Sequence, residues 1–204
     1  MKPNELYNLI QRTQYVKSGF DLDWKVLVDH NEKKIRLLFC PSNSNKDWFI
    51  NILGFFPLFK FPISYCWGWK KVFDNCKGLI FNELLLKCNL YPDYGVEISG
   101  HSYGGAMSVI AGIDFFKISG IKPDIITFGS PMPLVYFTSI FLARMCLNDV
   151  KQYAHRSDIV TYCPPFIGYH NVKTIRLGKF SFKGLFNPNK YHTIYGDESI
   201  YEGK

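Results

Sequence analysis

This chain of 204 residues has no C-x-x-C pair and no other spacing that suits a zinc site or a disulfide framework. Its six cysteines (Cys40, Cys66, Cys76, Cys88, Cys146 and Cys163) are scattered singly, most of them inside apolar runs. Free thiols, most of them buried, are therefore expected, with no metal and no cofactor. The first residues, Met1-Lys2-Pro3-Asn4-Glu5-Leu6, lack the apolar stretch of a secretory signal, so a cytoplasmic protein, or one released without a standard signal, is expected. No uninterrupted apolar run reaches the roughly 18 residues of a transmembrane helix. Lys and Arg (24) outnumber Asp and Glu (17), giving a net charge of +7, yet the basic residues cluster only as the doublets Lys33-Lys34 and Lys70-Lys71. Without a basic stripe interleaved with stacking aromatics, nucleic acid is not an expected partner. Internal repeats and low-complexity linkers are also missing, so one domain over residues 1–204 is expected.

What is present is enough apolar material for one sizeable core, at 47% of the chain, arranged as alternating strands and helices. Asn4 to about Tyr15 reads as a helix capped by Asn4, with Leu6, Leu9 and Ile10 on one face. Trp24–Asp29 and Ile35–Cys40 read as strands joined by a hairpin. A long helix follows from Trp69 to about Asn89, then a break at Tyr91-Pro92-Asp93-Tyr94-Gly95. Further strands are expected at Val96–Ser99, Ile125–Phe128, Val150–His155 and Val172–Leu177, with a helix from about Leu134 to Leu147. Strands alternating with helices imply a mostly parallel central sheet with helices on both faces.

Directly after the expected strand Val96–Ser99 lies Gly100-His101-Ser102-Tyr103-Gly104, a G-x-S-x-G segment followed by an apolar helix (Met107, Ile110, Ala111, Ile113). A serine at such a strand-to-helix corner projects its hydroxyl from the sheet, and the helix start behind it suits a developing oxyanion. Ser102 is the expected nucleophile. It needs a base within hydrogen-bond reach and a carboxylate to fix the tautomer of that base. Asp158 follows the strand Val150–His155, at the end of the sheet from which a loop histidine is reachable. Asp124 and Asp149 begin strands instead, and Asp197 follows the last histidine and breaks the usual Ser, Asp, His order. Of five histidines, His30 precedes the core sheet, His101 faces away from Ser102 inside the turn, and His155 precedes the aspartate. His170 and His192 remain.

Four segments in this order carry a resemblance to the class 3 (fungal-type) lipase family, from about Ile35 to the C-terminus. Gly100–Ala106 resembles the family's nucleophile elbow, and Ile125–Pro131 the strand and turn after it. His155-Arg156-Ser157-Asp158-Ile159-Val160, ending in Pro164-Pro165, resembles the segment with the catalytic aspartate. Leu38-Phe39-Cys40-Pro41-Ser42 resembles the oxyanion strand. The resemblance implies a minimal α/β-hydrolase fold and a serine ester hydrolase acting on lipid acyl esters. It selects His192 as the base, since His170 matches a family position that is commonly histidine without being the base. It places the oxyanion donors at Ser42 and Tyr103, and a lid at about residues 43–63, rich in Trp48, Phe55, Phe56, Phe59 and Phe61. It departs from the family's usual residues at Cys40-Pro41, at Cys66-Trp67-Gly68-Trp69, and at Tyr191 in place of an aspartate before the histidine. The expected partner is a lipid or ester substrate; the basic charge reads first as a solvated surface, with peripheral contact to anionic lipid headgroups as the alternative. A phospholipase A1, an acyltransferase, a soluble-ester esterase, or a binding protein that keeps the fold without turnover are the alternatives.

Overall fold

The computed structural model describes residues 1–17, 22–41, 57–58 (backbone only), 63–165, 168–182 and 187–202. Ser42 and most of the expected lid fall outside the described residues. Helix α1 (Pro3–Arg12) begins one residue before the expected cap. Pro3 takes the first helical position, where its missing N–H costs nothing, and the Glu5 carboxylate accepts the Lys2 N–H at 2.9 Å. The helix stops at Arg12 because Thr13 turns to extended backbone (φ −66°, ψ 136°), its N–H and hydroxyl both closing the last turn on the Leu9 carbonyl.

Strands β1 (Trp24–Asp29) and β2 (Lys34–Phe39) form the expected antiparallel hairpin. After it come the short strands β3 (Pro57–Leu58) and β4 (Ser64–Cys66), then the long helix α2 (Trp67–Leu90). Strand β5 (Gly95–His101) leads into helix α3 (Tyr103–Ser119), and β6 (Asp124–Phe128) follows. Leu134–Val135 is a short strand, β7, so helix α4 starts only at Phe137 and runs to Cys146. This corrects the expected helix start at Leu134: those two residues pair with Tyr65 and Ser64 of β4. Strand β8 (Val150–His155) has the expected bounds, and a 3-10 turn (Ile159–Tyr162) succeeds it. The chain ends with β9 (Tyr169–His170), β10 (Thr174–Leu177), α5 (Pro188–His192), a 3-10 turn (Ile194–Gly196) and α6 (Ser199–Glu202).

The main sheet has the order β1-β2-β5-β6-β8-β10, parallel throughout except for β1 against β2. A smaller antiparallel sheet, β3-β4-β7-β9, is built from two- and three-residue strands. Alternation along β2 shows how the main sheet is covered. Ile35, Leu37 and Phe39 join the core beneath α2, α3 and α4, whereas Leu38 joins Phe128, Tyr153 and Leu177 beneath Leu6, Tyr7 and Ile10 of α1. Helix α3 is buried from Tyr103 to Phe115, on every side rather than along the expected stripe, as befits a helix enclosed between the sheet and its neighbours. Two buried cations are fully paired: Arg36 binds Glu97 at 2.9 Å and also Asp29 and Glu32, and Lys70 binds Asp114 at 3.0 Å and also Asp74. Among the described residues, the six cysteines are thiols rather than disulfides. Among the described residues, no helix is long and apolar enough to cross a membrane.

Candidate active site

Ser102 stands between β5 and α3 with φ 56° and ψ −125°, a conformation that an L-residue adopts only under strain. Its neighbours make that corner feasible. A Cβ added at Gly100 would lie 2.3 Å from the Gly104 carbonyl group, and one at Gly104 would lie 2.8 Å from the Phe39 oxygen. With hydrogen there instead, the helix packs directly onto the strand. The Ser102 N–H is tied to the Phe128 carbonyl of β6 at 2.9 Å, and its own carbonyl accepts from Gly105 and Ala106 to start the helix. Tyr103 opens α3, so its N–H lies in the first turn of that helix, beside Ser102.

The adjacent strand ends supply the remaining groups. Asp158, three residues past β8 and without exposed surface, caps the following 3-10 turn by accepting the Val160 N–H at 3.1 Å. Its carboxylate meets His192 Nδ1 at 2.9 Å through Oδ2 and 3.1 Å through Oδ1. A carboxylate only accepts, so Nδ1 carries the proton and His192 Nε2 presents a lone pair. Among the described residues, that Nε2 is buried without a hydrogen-bond partner. It is the atom a general base would use, and such contacts tighten when substrate binds. The structure thus brings Asp158 and His192 together, while the Ser102 hydroxyl, at the end of β5 two strands across from β8, makes no hydrogen bond to the imidazole Nε2. His170 lies elsewhere, in β9 of the small sheet opposite Leu134. Asp124 and Asp149 lie at the beginnings of their strands, with Lys34 and Lys151 as respective partners. Among the described residues, no cluster of three or more His, Cys, Asp and Glu could hold a metal ion.

Several supporting residues are invisible to local pattern. Tyr195 is fully buried; its hydroxyl donates to Asp158 Oδ2 at 2.6 Å and accepts the His155 N–H at 3.0 Å. Burial, and then the Asp158 charge, push its pKa well above the usual tyrosine value, so it remains a donor. Gly129, just past β6, has φ +57°, and a Cβ there would stand 2.9 Å from both Asp158 Oδ2 and His192 Cε1. The dyad fits only because this side chain is absent. The signal in the sequence was the Gly129-Ser130-Pro131 turn; nothing local announced its contact with residues 29 and 63 positions later. Behind His192, Tyr7 donates to the Thr193 carbonyl at 3.3 Å, and burial lifts its pKa to about 12.

A parallel sheet covered by helices on both faces, with a strained serine at a strand end and a histidine–aspartate pair beside it, defines an α/β-hydrolase fold. The native propeptide complex of Rhizomucor miehei lipase shares it, with a TM-score of 0.73 at 21% identity over 82% of this chain and 56% of that one. The family model described as Lipase (class 3) matches residues 37–168, and the chain belongs to the class 3 lipase family. A putative lipase of Saccharomyces cerevisiae, LIH1, is 26% identical over 179 residues, which cover 70% of this chain and 54% of that protein. A lipase of Rhizomucor miehei is 32% identical over 104 residues, 48% of this chain and 28% of the relative. The chain spans about half the length, or less, of these curated relatives.

Proposed function

We propose that the protein is a serine ester hydrolase that cleaves lipid acyl esters through an acyl-enzyme. The observation that carries this reading is the His192–Asp158 hydrogen bond, which leaves an unpartnered Nε2 at the sheet end where Ser102 is held in strain. Ser102 Oγ attacks the ester carbonyl while His192 Nε2 takes its proton. Asp158 stabilises the imidazolium, and the N–H groups of Tyr103 and Ser42 receive the oxyanion. Collapse of the intermediate breaks the bond to the alcohol oxygen, and His192 returns the proton to the departing alcohol. Water, deprotonated by the same Nε2, then attacks the acyl-serine and releases the acid. Membership of a lipase family and the apolar residues expected at about 43–63 favour a lipid ester over a small soluble one. Fluorophosphonate labelling with peptide mapping tests the proposal. Modification of Ser102 in the native protein, lost in His192→Ala, is expected. A native protein that neither reacts with the probe nor hydrolyses nitrophenyl esters and emulsified triglycerides would refute it.

A further inference from the structure

His101 lies in the turn beside Ser102 and takes no part in the chemistry above, yet it is nine-tenths or more buried and both its ring nitrogens are engaged. Its Nε2 is 2.8 Å from the backbone carbonyl of His192. A carbonyl only accepts, so Nε2 carries the proton of the neutral ring and Nδ1 must be an acceptor. The side-chain amide of Gln11, on α1, is 3.1 Å from Nδ1 and supplies the donor. The His101 ring lies 4.6 Å from the His192 ring, centroid to centroid, tilted by 34°. Tyr7 meets the other side of His101 edge-on at 5.1 Å.

We infer that His101 is a positioning residue for His192, held as the neutral Nε2–H tautomer by Gln11 and gripping the base by its backbone carbonyl. This deepens the ester-hydrolase reading and rests on it. Gln11 reaches His192 only through His101, and both Gln11 and His192 lie outside residues 37–168, which the family model matches. The arrangement has an electrostatic consequence. His192 becomes an imidazolium in the transition state, and a second imidazolium at this distance would oppose it. Burial, and then the His192 charge, hold the His101 pKa well below the usual value, so the neighbour stays neutral. Among the described residues, the other groups facing this pair are Asp158 beyond β8, Tyr195 in the turn after α5, and Tyr7 of α1.

Gln11→Glu and Gln11→Leu separate this role from a merely structural one. The introduced carboxylate only accepts, so it draws a proton onto Nδ1 while the His192 carbonyl keeps the one on Nε2. The His101 ring then becomes a cation. For Gln11→Glu, kcat on a soluble nitrophenyl ester should fall on the order of 10-fold with KM unchanged, and the acidic limb of kcat/KM should move to lower pH. Gln11→Leu, which removes the donor without adding charge, should lose kcat about 2-fold with the limb in place. His101→Phe keeps a ring but releases the carbonyl, and should lose kcat on the order of 10-fold at unchanged KM. Nitrogen-15 imidazole spectra read the arrangement without turnover: His101 should be the neutral Nε2–H tautomer from pH 8 down to about 6. An Nδ1–H tautomer, an ordinary His101 titration, or a kcat within 2-fold of wild type in both Gln11→Glu and His101→Phe overturns the inference. Failure of the native protein to label at Ser102 overturns the ester-hydrolase reading instead, and the spectra still decide the tautomer.

Discussion

Replacing Tyr195 by phenylalanine removes one oxygen from the interior and leaves the ring in place. That oxygen makes two bonds, donating to Asp158 Oδ2 at 2.6 Å and accepting from the His155 N–H at 3.0 Å. The first is a bond to a charged group, worth about 1.5–3 kcal/mol, and the second leaves a buried N–H unpaired at about 1–3 kcal/mol. The two share one atom and do not add in full, so a stability loss of about 2–4 kcal/mol is expected from urea unfolding. Activity should respond separately. Asp158 keeps His192 and the Val160 N–H but loses the donor on the oxygen nearest the imidazole. A carboxylate freed on that side orients the imidazolium less well, and about 1.4 kcal/mol of transition-state stabilisation corresponds to a 10-fold fall in kcat. KM should not change, because Tyr195 has no exposed surface with which to touch substrate. The assay is nitrophenyl-ester hydrolysis normalised by active-site titration, below the temperature at which the variant melts. A stable variant, or a destabilised one with full kcat per active site, would refute the reasoning: the first by denying the hydrogen bonds, the second by denying that they serve Asp158.

Gly129→Ala should fold but lose on the order of 100-fold in kcat, because its Cβ would lie 2.9 Å from Asp158 Oδ2 and His192 Cε1 at a residue with φ +57°; retained turnover with an unchanged circular dichroism spectrum would contradict the dyad geometry. Ser102→Gly should abolish turnover and yet raise stability by about 1 kcal/mol, since relief of the φ 56° strain exceeds the added backbone entropy; a lower unfolding midpoint would show that the corner stores no strain. Stability should fall as pH drops below about 6.5, where the unfolded chain protonates His101 and the folded chain does not, with a slope approaching 1.4 kcal/mol per pH unit. His155, whose pKa burial also lowers, adds to the slope in the same direction. In His101→Phe the slope between pH 6.5 and 5 should flatten, and an unchanged slope would assign the proton uptake elsewhere.

The parts of this design that were legible in the sequence are those written in local chemistry. Ser102 could be read because the glycines around it leave room for no other backbone, and Asp158 because β8 announces its own end at His155. Choosing His192 needed the family resemblance, since its loop offers no period or motif of its own. Leu134 and Val135 read as helix because apolar residues run on into α4 without a break; two-residue pairing with β4 is decided by the partner strand. The α1 start was misplaced because Asn4 is a good cap by type, while Pro3 and the backward reach of Glu5 set the start one residue earlier. Tyr195 and His101 act on residues 37 and 91 positions away, and no window along the chain contains both partners.

The unequal legibility follows from how the site is held. Ser102 and Gly129 directly follow β5 and β6, Asp158 comes three residues after β8, and the register of these three adjacent strands sets their spacing. His192 has no strand behind it. It ends a five-residue helix, and side-chain contacts keep it in place: Asp158 at the imidazole, His101 at its carbonyl and Tyr7 at the next carbonyl. Secondary structure delivers the nucleophile and the acid, whereas tertiary contacts from α1 and β5 deliver the base. Substitutions remote from the chemistry should therefore act mostly through His192. Helix α1, which carries no reacting group, is where such effects should concentrate, because Tyr7 bonds the carbonyl of Thr193 next to the base and Gln11 bonds the His101 ring that holds the base.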